Sequence, residues 1–246
     1  MNRTEPKYYS PSAVSTIANA AIADQEFRGL SADLFAFNKI NIGCDDPSKL
    51  NLIKVTAKLD EGRKTIFSDV HLLALQRLLK DRTLLGGFLI EASRKLVLSV
   101  TNNSGAQRVI SIDLNGYDAP QYHAKVEKYE ERGHPYPEPE FLYATATIQA
   151  GAVRQRVPIN IPESATNLYR IAISSTSDDN LQVAFKVDNK ELIPNRFVSA
   201  INDQFVNKEI VHPFLIDKRV PFEAQITNLD GANNYEISII CEAYKV

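Results

Sequence analysis

The second half of this chain repeats its first, and that duplication restricts the available folds more than any other feature of the 246 residues. Phe88-Leu89-Ile90, Thr101-Asn102 and Gly105-Ala106 recur in order as Phe214-Leu215-Ile216, Thr227-Asn228 and Gly231-Ala232. Ile110-Ser111-Ile112 with Tyr117 is echoed by Ile237-Ser238-Ile239 with Tyr244. Upstream, Ile40-Asn41-Ile42 pairs with Ile159-Asn160-Ile161, and Asn51-Leu52-Ile53-Lys54-Val55 with Asn167-Leu168-Tyr169-Arg170-Ile171. Spacing between the blocks drifts by several residues, as it does when strands keep their lengths and loops absorb insertions.

The local patterns within each copy are mostly those of strands. Phe35–Ile42, Leu50–Leu59, Arg63–Phe67, Gly87–Ile90, Lys95–Thr101 and Arg108–Leu114 are rich in β-branched and aromatic residues and bounded by Gly, Asp or Pro. The second copy follows with 142–149, 154–161, 168–174, 181–187, 210–216, 221–227 and 235–244. One helix interrupts each series. Ser68 or Asp69 can cap the first, with Leu72, Leu75 and Leu79 on one stripe, and the second runs from Asn195 with Phe197, Val198, Ile201 and Phe205 on one face. Leu52, Val55, Val100, Leu168, Ile171 and Ile226 are expected in the cores. Asn and Gly in the repeated Thr-Asn turn supply left-handed backbone for a tight strand connection.

Ahead of the first copy, Ser10-Pro11 reads as an N-cap with Pro at the first helical position. Val14, Ile17, Ala18, Ala21 and Ile22 then fall at helical spacing as far as Glu26. The expected organisation is a helical arm over 1–33, a first β-sandwich over 34–118, a proline-rich linker over 119–140 and a second β-sandwich over 141–246. On this reading Val14, Ile17 and Ile22 anchor the arm on a neighbouring surface.

Composition narrows the function. A formal charge of -2 and the lack of any long Lys/Arg run give no electrostatic reason for nucleic-acid binding. The two cysteines, Cys44 and Cys241, do not occupy equivalent places in the copies and read as reduced, buried thiols. No apolar run approaches the ~20 residues that span a bilayer, and the N-terminal segment lacks a signal-peptide core. A protein made in the cytoplasm is expected. His71, His123, His134 and His212 lack metal-ligand spacing, and the pairs Asp45-Asp46 and Asp178-Asp179 lack the regular oxygen spacing of a calcium loop, so no metal or cofactor is expected. No nucleophile elbow or phosphate-binding glycine motif is present, so no enzyme is expected.

Two duplicated β-rich domains, a helix midway through each, a proline-rich connection and an N-terminal arm together resemble the double jelly-roll major capsid proteins of membrane-containing, tailless icosahedral bacteriophages. The resemblance lies in organisation over the whole chain and not in a signature motif. It implies two upright eight-stranded barrels per chain, a homotrimer of pseudo-hexagonal outline, partners among other capsid proteins, and a place in the virion shell with the arm against an internal membrane. The repeat is compact for two eight-stranded barrels, which leaves the strand count of the first copy open. Two rivals stand beside this reading: a tailed-phage head or neck accessory protein, and a tandem carbohydrate-binding β-sandwich.

Overall fold

The computed structural model describes residues 11–28, 35–59, 64–79, 84–91, 94–161, 166–205 and 214–245. In the first half β1 (Ser12–Ile17), β2 (Ala21–Arg28), β3 (Phe35–Cys44), β4 (Ile53–Leu59) and β5 (Lys64–His71) precede helix α1 (Leu72–Leu79); β6 (Phe88–Ile90), β7 (Lys95–Asn102) and β8 (Arg108–Asp118) follow it. Helix α2 (Ala119–Glu130) leads into the second half. There β9 (Pro139–Ile148), β10 (Gln155–Pro158), β11 (Thr166–Ser175), β12 (Leu181–Val187) and β13 (Lys190–Phe197) precede α3 (Val198–Phe205), and β14 (Phe214–Ile216), β15 (Phe222–Asn228) and β16 (Tyr235–Lys245) follow.

The strands form four antiparallel sheets: β1-β8-β3-β6 and β2-β7-β4-β5 in the first half, β9-β16-β11-β14 and β10-β15-β12-β13 in the second. The second pair has the strand order of the first with every strand moved on by eight. Each pair closes on its own apolar cluster, so the chain is two tandem jelly rolls. Register is preserved as closely as order. Ile42 lies opposite Ile112 and Gly43 opposite Ser111, while Ile173 lies opposite Ile239 and Ser174 opposite Ser238. Ladder irregularities recur too, at Phe37/Lys39 and at Leu168/Arg170. Helices α1 and α3 occupy equivalent places, and the fifth residue of each makes an equivalent bond: Gln76 donates to the Ile42 carbonyl at 3.2 Å and Asn202 to the Ile173 carbonyl at 2.9 Å.

The N-terminal helix does not form. Ser12–Ile17 and Ala21–Arg28 are strands, paired with β8 from Ser12↔Asp113 to Ile17↔Arg108 and with β7 from Ala21↔Asn102 to Arg28↔Lys95. Ala13 and Ile17 turn inward from β1, and Ala21, Ala23 and Phe27 from β2. The turn between them, where Ala20 takes φ 57°, breaks the alternation. Val14, Ile17, Ala21 and Ile22 thereby come to mimic a helical period. These strands correspond to β9 and β10, so the duplicated unit reaches back to residue 12 and the first roll, like the second, has eight described strands.

Other local expectations shift as well. The Ile40-Asn41-Ile42 block lies on β3, the third strand of its roll, whereas Ile159–Ile161 follows β10, the second strand of the other, so those blocks are not equivalent. The Asn51 and Asn167 blocks are likewise mismatched, since β4 corresponds to β12 and not to β11. Alternating Ile with a polar residue fits any half-buried strand, so it carries no register information. Asp69 and Asn195 lie on β5 and β13 rather than capping the helices, and Leu50 and Leu52 belong to a 3₁₀ turn over Pro47–Leu52. Leu52 is half-buried, while Val55, Val100, Leu168, Ile171 and Ile226 are fully buried. Segment 119–140 opens with α2, capped by the Asp118 carboxylate accepting from the Gln121 N–H at 3.0 Å.

The repeated asparagine of the Thr-Asn turn has a different role from the one read in the sequence. Asn102 and Asn228 end β7 and β15 as buried staples. The Asn102 amide donates to the carbonyls of Ile17 at 2.9 Å and Ala106 at 2.8 Å, and the Asn228 amide to those of Gln149 at 3.0 Å and Asn233 at 2.8 Å. Each ties the loop joining the first two strands of its roll to the loop joining the last two. Only Gly105, at φ 86°, supplies left-handed backbone in the first of these turns.

Because β1 and β2 are edge strands of both sheets of the first roll, deleting residues 1–28 is expected to unfold that roll. The measurements are soluble yield and circular dichroism. A soluble truncated chain with native spectrum and melting temperature would mean that these strands are dispensable.

Candidate assembly surfaces

The two rolls meet through unlike surfaces. The sheet β9-β16-β11-β14 turns its outer face onto α1 and β5 of the first roll. β16 shows the consequence, since Ile237 to Tyr244 is buried without alternation, whereas its counterpart β8 alternates. Ala172 and Ile240 belong to the apolar cluster of the first roll, and Phe141 packs there against Phe67 (centroids 5.7 Å apart) and Phe88 (5.9 Å). Burying one such large side chain contributes about 1.5–3 kcal/mol.

Polar groups fix the register of this contact. The His71 N–H donates to Ser238 Oγ at 3.0 Å, and the His71 ring sits 3.3 Å from Ser174 Oγ through Nδ1 and 3.5 Å from Glu236 through Nε2. Glu236 also pairs with Lys54. Arg77 on α1 donates to the Ile173 carbonyl at 2.6 Å and to Asp178 at 2.8 Å. Deeper in the contact, Arg170 pairs with Glu242, Tyr244 donates to Glu242, and the Leu85 N–H donates to the Tyr244 hydroxyl at 2.7 Å. Burial first, then the Glu242 charge, pushes the Tyr244 phenol upward, so it remains a hydrogen-bond donor. Ser174, His71 and Glu236 have the order of an acyl-transfer triad. Ser174 and His71 are fully buried between the rolls, and none of the three lines the clefts at Lys64/Glu138, Pro158/Pro221 or Asp69/Asn160, so the group works as a clasp.

Among the described residues, nothing comparable covers the equivalent surfaces that face away from this contact. On the first roll the outer face carries Val14 (68% exposed) and Val109 (41%), with Ser111 and Asp113 half-buried. On the second roll Phe197 (41%), Ala200, Asp203 and Gln204 are exposed where His71, Ala74, Arg77 and Leu78 of the first are covered. The structure does not bring Val14, Ile17 and Ile22 together. Ile17 is core; Val14 and Ile22 are exposed on strands of different sheets. Of His71, Ser174 and Glu236, sequence alone singles out His71, and only as a histidine without metal-ligand spacing. The available signal was a difference between copies: outward Asn41 and Asp113 of the first become Ala172 and Ile240 in the second.

The remaining candidates have structural partners. Asp46 caps the Pro47–Leu52 turn by accepting from Ser48 and lies 3.4 Å from Arg108, and Asp178 accepts from the Ser175 N–H at 3.0 Å. Asp45 is exposed and Asp179 lies in the adjoining 3₁₀ turn. Among the described residues no three His, Cys, Asp or Glu side chains are grouped to hold a metal ion. Cys44 is half-buried and Cys241 buried, both as free thiols; burial raises the Cys241 thiol. His123 packs against Tyr122, and His212 lies outside the described residues.

No protein-family model matches the chain, and none of the curated proteins does. Among solved structures it is similar to the major capsid protein P2 of bacteriophage PM2, with a TM-score of 0.52, 10% identity and 98% of each chain covered. The STIV major capsid protein aligns at 0.48 with 11% identity over 97% of each chain. A chain of Sulfolobus turreted icosahedral virus aligns at 0.49 with 13% identity, over 97% of this chain and 91% of that one. The likeness to P2 is one of fold, and it embraces both rolls.

The clasp carries a pH dependence. His71, then Lys54, hold the Glu236 carboxyl down at about 2, against an ordinary 4.5. A carboxylate with a depressed folded-state pKa stabilises the fold above the unfolded value and loses that contribution as pH falls through the folded one. Melting temperature is therefore expected to drop as pH falls from about 4.5 to about 2. E236Q should be less stable at neutral pH and flatter across that window; an identical acid limb in E236Q would refute the assignment.

Proposed function

We propose that this chain is the repeating structural subunit of an icosahedral viral shell, resident in the virion, without enzymatic activity, and assembled as a homotrimer of pseudo-hexagonal outline. The observation that carries this reading is the unlike contact between the two rolls. The flank of one roll receives the outer sheet of the other, which leaves one free flank and one free outer sheet on each chain. A heterologous contact of this kind closes into a ring when its rotation is a simple fraction of a turn. Three chains then contribute six rolls of nearly equal shape. The shared fold with the major capsid protein P2 of bacteriophage PM2, over 98% of both chains, supports the same use.

Two packed four-stranded sheets make each roll a stiff wedge with its loops at the ends, a shape suited to tiling. The net charge of -2 favours a shell that contacts other proteins over one that holds nucleic acid directly.

The purified chain is expected to be trimeric by light scattering and to form closed particles or flat hexagonal arrays in electron micrographs at high concentration. A monomer at all concentrations that binds saturably to a glycan array would replace the shell reading with a carbohydrate-binding one.

A further inference from the structure

We propose that the open outer face of the first roll, centred on Val109, docks on the corner between β13 and α3 of a second copy, with Val109 against Phe197. This rests on the shell-subunit reading for its premise that copies associate. Which residues meet follows from the register shared by the rolls. The ladders place Ser111 where Ser238 stands and hence Val109 where Glu236 stands, and place Val14 where Thr145 stands. Lys54 opposite His71 corresponds to Gln182 opposite Phe197, so Phe197 occupies the position of His71.

The contact within the chain can therefore be carried over, residue for residue, to a contact between chains. Where Glu236 meets His71 and Lys54 in the chain, Val109 of one copy meets Phe197 and Gln182 of the next. An ionic clasp is replaced by an apolar pair. These two residues are among the few large hydrophobic side chains left exposed on the described surface, each at 41%. Exposed singly they would need no explanation, but they fall on the two halves of one quasi-equivalent contact. Ser111 Oγ is placed to accept from the Phe197 N–H, as Ser238 Oγ does from His71.

Charge supports the same pairing. Arg77 of α1 pairs with Asp178, the first residue of the 3₁₀ turn Asp178–Asn180 of the second roll. The residue of α3 at the position of Arg77 is Asp203, and the corresponding 3₁₀ turn of the first roll carries Lys49. The polarity is reversed, so the two contacts are complementary within themselves and mismatched with each other. That discriminates the contact between chains from the one within the chain. Helix α2 limits the surface from below: Lys125 donates to the Tyr117 hydroxyl at 2.7 Å and covers its ring, at the position where Tyr244 meets the first roll. The free surface is the upper half, around Val14, Val109 and Asp113.

Cysteine pairing tests this directly. With Cys44 replaced by serine throughout, V109C chains and F197C chains are coexpressed and mildly oxidised. A covalent dimer is expected from the mixture and none from either variant alone, while V109C/F197C double-variant chains should give a covalent trimer on denaturing gels. V109E should raise the concentration at which the trimer dissociates by about tenfold or more, with the melting temperature of the isolated chain unchanged. A trimer by light scattering that yields no mixed cross-link overturns this contact alone. Cross-links within V109C alone or F197C alone would mean a symmetric contact and overturn it too. A chain that stays monomeric overturns this contact and the shell reading together.

Discussion

The arrangement of the molecule depends on one sheet being buried on both faces. An antiparallel sheet ordinarily keeps one face in water and alternates apolar with polar residues. In the second roll the inner face of β9-β16-β11-β14 closes its own core through Ile171, Ile173, Ile237 and Ile239, and the outer face closes part of the first roll's core through Ala172 and Ile240. Without that second burial the rolls would be beads on a connection. With it they become one body in which the flank of one barrel and the sheet of the next are already joined.

The polar groups in this contact specify more than they stabilise. Arg170 and Glu242 are almost wholly buried, and such pairs gain little net energy because desolvation offsets their attraction. Losing one partner is a different matter, costing about 3–5 kcal/mol because the other is stranded. The pair, with Tyr244 and the Leu85 N–H, therefore penalises any slippage of one roll across the other. Glu236, His71 and Lys54 impose a smaller penalty nearer the loops, because Glu236 and Lys54 are only partly buried. A fixed angle between rolls is what the proposed shell role requires, since an error in that angle would be multiplied at every contact.

Duplication accounts for both the likeness and the difference between the halves. The copies share strand order, ladder register, the bulge on the third strand and the buried asparagine staple, all of which serve the interior of a roll. They differ on the outer sheet face and along the helix flank. There Asp113 stands for Ile240, Val109 for Glu236, Phe197 for His71 and Gln204 for Leu78. The interior is under the same packing constraint in both copies, whereas one flank and one outer sheet are covered by each other and their counterparts are exposed.

What the sequence determined by itself is the duplication, the antiparallel β class, the midway helices and most strands whose alternation is set by their own residues. The Phe-Leu-Ile, Thr-Asn and Ile-Ser-Ile blocks occupy equivalent places because each is held by local pattern plus a recurring partner. Tertiary structure decided the rest, for identifiable reasons. Ser12–Arg28 is poor in strong strand formers and carries a helical spacing by accident of a turn, and only pairing with β8 and β7, about 67 to 101 residues away, makes it two strands. The clasp was hidden for the same reason: His71, Ser174 and Glu236 are far apart in sequence, and their meeting is set by how one sheet covers one helix. A pattern of residues can report which face of a strand is apolar, but which surface covers that face is decided only when the whole chain is packed.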